Sequence, residues 1–389
     1  MLMYPRKAPL YFSISVLIEN DHARKQKQTV SFMRMEIDQL ETPCVLVDIG
    51  IAEANIDKFQ AYCDVHGIKS RPHIKTHKLP RLAHRQVAVG GVGITCQKIS
   101  EAEVMADAGI EDILITYNII GKTKIAKLRA LNGRCRLSVV ADSDTVIRGL
   151  SDGFADAEQS LAVLIECDTG AGRCGVQTHE QAARLAQVVD ALPGLHFAGL
   201  MTYPPFGSAQ DQIDVNDWLV EAKLQINQAG LECDLISSGG SPNMWHAHTS
   251  KIATEHRSGT YVYNDRSLIE KGVCEVENCA LTVLATVVSC PTDIRAIIDA
   301  GSKTLTSDLL GLNGYGYILG VNDASICALN EEHGTIDLSK TDWRPAIGER
   351  IRIIPNHCCV VSNIADSVWL VRDGQVVGEE KVAARGKVI

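Results

Sequence analysis

Leu161-Ala162-Val163-Leu164-Ile165-Glu166-Cys167, then the glycine-rich stretch Asp168-Thr169-Gly170-Ala171-Gly172-Arg173, a helical-period segment over 179–191 and a second apolar run over 195–201, decide the fold. A short apolar run bounded by turn residues reads as a strand buried on both faces. Two such strands joined by a helix form a βα repeat whose strands lie parallel. Working outward, the same rhythm predicts strands at 68–74, 91–95, 112–116, 136–141, 161–167, 195–201, 233–237 and 256–261, with helical segments such as 100–108 between them. Eight βα units are most simply closed as an α/β barrel of the (β/α)8 TIM type, with the active site at the C-terminal strand ends. A doubly wound open sheet is the alternative, but no Gly-x-Gly-x-x-Gly follows the first strand.

Beyond 276 the rhythm gives way to Val, Ile and Thr runs punctuated by Gly, Pro and Asn. That change predicts a β domain over 276–389 behind a barrel over 36–275. Residues 1–35 stand apart as an N-terminal appendage of no clear role. Ala8 to Ile18 is apolar and follows Arg6 and Lys7, yet no small-residue cleavage site follows and 19–27 is highly charged, so it is a poor secretory signal. Met33 and Met35 are alternative starts. No apolar run reaches the ~18 residues of a membrane span.

Lys plus Arg number 38 against 47 Asp plus Glu, a net charge of -9, with the charges scattered. That argues against a nucleic-acid partner. The 13 cysteines lie in apolar stretches of a chain too long to need disulfide staples, so reduced thiols in the cytoplasm are expected.

In a barrel, the residues ending each strand share one rim, and here they are reactive. Strand one ends in Arg71-Pro72-His73-Ile74-Lys75-Thr76-His77-Lys78. A lysine at the end of an apolar run, among other basic groups, has a depressed pKa and can attack an aldehyde. Gln97 and Lys98, Asn118, Asp142, Asp168 to Arg173 and Tyr203 end strands two to six. Strand seven runs into Ser237-Ser238-Gly239-Gly240-Ser241 and strand eight into Ser258-Gly259-Thr260-Tyr261. Barrel loops after strands seven and eight commonly bind phosphate, because glycine lets backbone N–H groups approach an anion. Two such loops opposite Lys75 point to pyridoxal 5'-phosphate, anchored by its phosphate and by an imine to the lysine.

The order Arg-Pro-His-x-Lys-x-His-Lys at 71–78, Cys-Gln-Lys-x-Ser-Glu-Ala at 96–102, Asp-x-Gly-x-Gly-Arg-Cys-Gly-Val at 168–176, Asp-Ala-Gly-x-Lys at 299–303 and Pro-Asn-His-Cys-Cys at 355–359 resembles the D-threonine aldolase and eukaryotic-type D-serine dehydratase family. Its members are alanine-racemase-like, fold-type III pyridoxal phosphate enzymes, and the likeness spans roughly 40–389. The resemblance implies a barrel of the alanine racemase N-terminal type followed by a β domain, a head-to-tail homodimer with sites near the interface, and a divalent metal beside the cofactor. It makes Lys75 the Schiff-base lysine with His73 and Gln97 beside it. It takes Arg173 to the ring-oxygen region and lays Tyr203 against the cofactor. The phosphate falls to Ser238, Gly239, Gly240, Ser241, Ser258, Gly259, Thr260 and Tyr261.

His357 and Cys359 alternate along what reads as an extended run, so they face one side of a strand. Imidazole with thiolate suits zinc, with Mn2+ or Mg2+ as alternatives, and the family's metal ligands fall at these positions. Two protein ligands leave the ion open to substrate as a Lewis acid. The aldolases tend to carry Asp at the second position and the dehydratases Cys, so Cys359 tilts the reading toward dehydration. The expected enzyme is a lyase converting a β-hydroxy D-amino acid of the D-serine or 3-hydroxyaspartate type to a 2-keto acid and ammonia, with freed Lys75 as base. The alternatives are an aldolase giving glycine and an aldehyde, and a racemase whose second base is Tyr315 or Tyr317 of the other subunit.

The sequence departs from the family in two loops. After Tyr203 comes Pro204-Pro205-Phe206-Gly207-Ser208-Ala209-Gln210-Asp211, without the usual histidine, and the usual Gly-Gly-Gly-Thr-Gly is replaced by Ser238 to Asn243. Trp245, His246 and His248 follow, imidazoles that could compensate. The resemblance also puts Asp299, Lys303 and the turn at 332–334 near a dimer's active site. Cys174 reads as a packing residue.

Overall fold

Eight parallel strands carry the N-terminal half of the computed structural model, which describes residues 35–206 and 209–389. They are Lys69–Ser70, Ile94–Cys96, Asp112–Asn118, Arg136–Ala141, Leu161–Cys167, Leu195–Thr202, Ile236–Ser238 and Glu255–His256. Strand one pairs with strand eight, and the ladder then runs in order down to strand two. A bridge between His73 and Thr95 closes the cylinder, with Ile74 N donating to Thr95 O at 2.9 Å and Thr95 N to Pro72 O at 2.7 Å.

The continuous apolar runs are explained by two separate clusters. Leu114, Val140, Leu164 and Met201 form one, while Ile113, Val139, Val163 and Ile165 pack with helix residues such as Leu128, Ile147, Leu150 and Leu185 in another. Both faces of strands three to six are thereby dry. The barrel also holds buried charge. Arg71 Nε donates to both Glu255 oxygens at 3.0 and 2.8 Å and its Nη1 to Asp112 at 2.5 Å, while Arg257 Nη1 donates to Ser237 Oγ at 2.6 Å. A desolvated pair is tolerated only when hydrogen-bonded this fully.

Strands one and eight are shorter than their expected 68–74 and 256–261. Pro72 offers no N–H to continue a ladder. Past Gly259 the chain coils into a 3-10 helix, Thr260–Val262.

The second sheet has ten antiparallel and parallel strands built on the long strand Leu281–Thr292, which pairs with Cys44–Asp48, Arg350–Ile354 and Arg295–Ile298. Residues 36–48, expected to open the barrel, therefore belong to the second sheet instead. Val45, Leu46 and Val47 are buried within this sheet between Leu281–Thr292 and Ser367–Arg372, and Met35–Glu36 pairs with Gln375–Lys381. Asp48 then caps the helix Ile49–His66, accepting from Gly50 N and Ile51 N at 3.0 and 3.1 Å. The rest of the expected appendage lies outside the described residues. Among those described, no helix is long and apolar enough to cross a membrane, and all thirteen cysteines are free thiols.

Candidate active site

At the C-terminal rim a cavity of about 360 Å3 brings together His73, Lys75, Gln97, Arg173, Tyr203, Gly239, Gly240, Ser241, Gly259, Thr260, His357 and Cys359. Twelve of the fifteen residues expected at the site thus line one space, from both sheets. Lys75 sits in the turn after the His73 bridge. Burial lowers its pKa, Cys359 opposes that, and Arg173 adds to it, so an uncharged amine is accessible. His73 is held neutral by burial and by Lys75. Gln97 Nε2 donates to Thr116 O at 2.9 Å, so its Oε1, 3.1 Å from His73 Nε2, must accept, and the ring proton sits on Nε2. The Arg173 guanidinium lies 4.8 Å from the Tyr203 ring centre.

The loops after strands seven and eight form a cradle that side chains would fill. A Cβ on Gly239, whose φ is +96°, would fall 2.1 Å from the His256 ring; one on Gly240 would meet Tyr203 at 2.9 Å, and one on Gly259 the His73 carbonyl at 2.9 Å. Ser241 Oγ laces the loops, accepting from Gly259 N and Tyr261 N at 3.1 and 3.2 Å. Ser258 Oγ is buried without a partner. Ser241 and Thr260 begin two 3-10 helices whose first N–H groups lack intrahelical acceptors. Glycine clearance beside the main-chain N–H groups of the cavity-lining Ser241 and Thr260 fits a phosphate.

Three expected residues do not line the cavity. Ser238 and Ser258 are buried behind it, and Tyr261 turns away to accept from Gln86 Nε2 at 3.0 Å and pack on Phe59. In that loop the main chain, not the tyrosine ring, faces the site.

His357 and Cys359 meet, though not on a strand. The strand Arg350–Ile354 stops before Pro355, His357 is the N-cap of the helix Cys358–Ile364, and Cys359 lies in its first turn. Asp265 organises this turn: its Oδ2 accepts from Cys358 N at 3.1 Å and lies 3.3 Å from His357 Nδ1. Hydrogen bonds from Cys358 and His357, with the His357 charge, hold Cys359 well below the usual thiol range against burial. Burial opposes charge on His357, but Cys359 and Asp265 raise it to about 10. Thr76 Oγ1 stands 3.2 Å from the sulfur. A thiolate beside an imidazole whose Nδ1 faces a carboxylate at 3.3 Å is a donor set suited to zinc.

Residues 47–267 match the family model for the alanine racemase N-terminal domain and 280–371 that for a putative serine dehydratase domain. A D-threonine aldolase of Arthrobacter sp is 34% identical, over 90% of this chain and 93% of its own. The chain belongs to the D-threonine aldolase and D-serine dehydratase family. Among solved structures, a D-threonine aldolase from Filomicrobium marinum superposes with a TM-score of 0.84 at 30% identity, covering 92% of this chain and 99% of that one. A cysteine-to-alanine mutant of D-threo-3-hydroxyaspartate dehydratase, solved in a metal-free form, gives 0.82 at 27%, covering 90% and 99%. Aldolases and dehydratases are both lyases, and this member of the family is a lyase.

Sequence reasoning missed several of its residues. Arg257 lines the cavity, its Nη2 donating to Thr202 O at 2.6 Å, and burial lowers it to about 10. Glu166, the lone carboxylate in an apolar strand, is raised to about 7, chiefly by burial, and stands 4.0 Å from Arg173. Of the expected rim, Lys98 lies over Tyr117, Asp142 accepts from Gly175 N, and Asp168 from Gly170 N and Gly172 N; like Asn118, none lines the cavity. Cys174 is exposed rather than packed, because it sits in the glycine-rich turn. His248 does not compensate for the missing histidine, being bonded to the Tyr62 hydroxyl at 2.6 Å and stacked on His66; His246 and Trp245 face a neighbouring cavity. Asp299 accepts from Thr42 and Thr286 within the second sheet, and Lys303 pairs with Glu332.

Proposed function

We propose that this lyase dehydrates a β-hydroxy D-amino acid to a 2-keto acid and ammonia, using pyridoxal 5'-phosphate and a divalent ion, zinc. The observation that carries the reading is the placement of a thiolate–imidazole pair, His357 and Cys359, in the same cavity as the buried amine of Lys75. When bound, the cofactor withdraws electrons from Cα and the ion polarises the β-hydroxyl. Lys75 would carry the cofactor, Gly239 to Ser241 and Gly259 to Thr260 would cradle its phosphate, and His357 and Cys359 would hold the ion. Lys75 Nζ, whose proton burial loosens, takes the Cα proton. Arg173 lies against the Tyr203 ring at the edge of the cavity. The enamine released on loss of water hydrolyses to the keto acid and ammonia, so the water lost in one step returns in the next.

Cleavage of Cα–Cβ to glycine and an aldehyde is the second reading, favoured by the 34% identity to an aldolase. Racemisation would need a second base; neither Tyr315 nor Tyr317 lines this chain's cavity, so a partner subunit of a homodimer would have to supply it. Purified protein with D-serine, D-threonine and 3-hydroxy-D-aspartate, with and without a chelator, decides among them. Chelator-sensitive keto acid supports dehydration, aldehyde supports the aldolase, and chelator-insensitive loss of optical rotation alone contradicts both.

A further inference from the structure

The cavity around Lys75 is lined by four basic side chains, Lys75, Arg173, Arg257 and Lys271, and by no carboxylate, in a chain of net charge -9. A surplus of cations in a concave site favours anionic ligands. Three of the four are occupied. Lys75 is the cofactor amine, Arg257 donates to Ser237 Oγ and Thr202 O, and Arg173 lies near Glu166 and over Tyr203. Among the described residues Lys271 has no ion-pair partner. Its Nζ is 3.4 Å from Ser267 O and 5.6 Å from the Phe206 ring centre, and the adjacent Glu270 leans toward Arg266.

Its place in the fold says which anion it meets. The helix Arg266–Ile269 is pinned to the turn that bears His357 and Cys359: Arg266 N donates to Pro355 O at 3.1 Å, Ser267 N to Asn356 O at 3.2 Å, and Asp265 holds Cys358 N. Lys271 comes two residues after this helix, and it lines the same cavity as His357 and Cys359, with its ammonium facing the Phe206 ring. We propose that Lys271 binds a second carboxylate carried on Cβ, making this lyase selective for 3-hydroxy-D-aspartate-type dicarboxylic substrates over D-serine and D-threonine. The inference rests on the β-hydroxy D-amino acid reading above. Past Phe206, Pro242 and Lys271 a neighbouring cavity of about 540 Å3 opens between Ile213, Trp245 and Val273, and a bulky apolar β-substituent is the competing occupant.

Lys271→Met removes the charge at similar length, and Lys271→Arg keeps it. For the holoenzyme, the ratio of kcat/KM for 3-hydroxy-D-aspartate to that for D-serine is expected to fall about tenfold or more in Lys271→Met, mostly through KM, with recovery in Lys271→Arg. In calorimetric titrations malate, an unreactive hydroxy-dicarboxylate, should bind Lys271→Met about tenfold more weakly than wild type, with lactate little changed. Equal losses for all substrates, an unchanged ratio, or a preference of wild type for 3-phenyl-D-serine over the dicarboxylate would overturn the proposal. If wild type turns over no β-hydroxy D-amino acid, the lyase substrate reading itself fails, while the malate titration still judges Lys271.

Discussion

Lys75 reaches the cavity from a strand end wedged between strands two and eight of the barrel, whereas His357 and Cys359 reach it from a turn of the other sheet, beyond Pro355, at the start of a seven-residue helix. The first is placed by main-chain ladders, with His73 N bonded to Ser258 O and Ile74 N to Thr95 O. The second is placed by the Asp265 side chain. The contrast teaches that the cofactor end is fixed by backbone register, which side-chain changes leave intact, while the metal end depends on one carboxylate and is easier to loosen.

Crossed deletions break the site into its halves. Lys75→Ala should lower kcat by about 10^3-fold or more and abolish the visible absorbance of bound cofactor, with bound metal retained by metal analysis. Cys359→Ala should lower kcat by roughly 10^2-fold with loss of metal while the absorbance survives. Loss of both signals in either variant would show that the halves are not independent. Asp265→Asn sharpens the contrast. Removing the charge that orients His357 should weaken metal affinity about 10- to 100-fold in a chelator competition. Cofactor absorbance should persist, and unchanged metal affinity would place the organisation elsewhere.

The smallest effect concerns the C-terminal end of strand five. Burial makes Glu166 bind its proton more tightly in the folded protein, with a pKa of about 7 against the usual 4.5. The stability it confers is therefore fully present below pH 4.5 and lost as pH rises to 7. In denaturation of cofactor-free protein, Glu166→Gln should remove that decline, worth at most about 3 kcal/mol. Parallel pH profiles for the two proteins would contradict the assignment.

Strands four and five are legible in the sequence at their observed bounds, because an apolar run of six or seven residues between turn signals is too short for a buried helix. Cys44–Asp48 is a run of the same kind, yet it joins the second sheet. Choice of partner is a tertiary matter that local pattern does not encode. His357 and Cys359 converge through a helix start rather than along a strand, and no period-2 argument anticipates an N-cap. Arg257 and Glu166 had a signal, being charges inside or just past apolar barrel strands. Asp265 had none, since its role exists only once the two sheets dock. Tyr261 was misassigned because a loop motif does not say whether main chain or side chain faces the ligand.

The account stands on the covalent link between cofactor and chain. Incubation with pyridoxal 5'-phosphate, borohydride reduction and peptide mass spectrometry should find one reduced adduct, on Lys75. A colourless protein without adduct, or an adduct confined to another lysine, would contradict it.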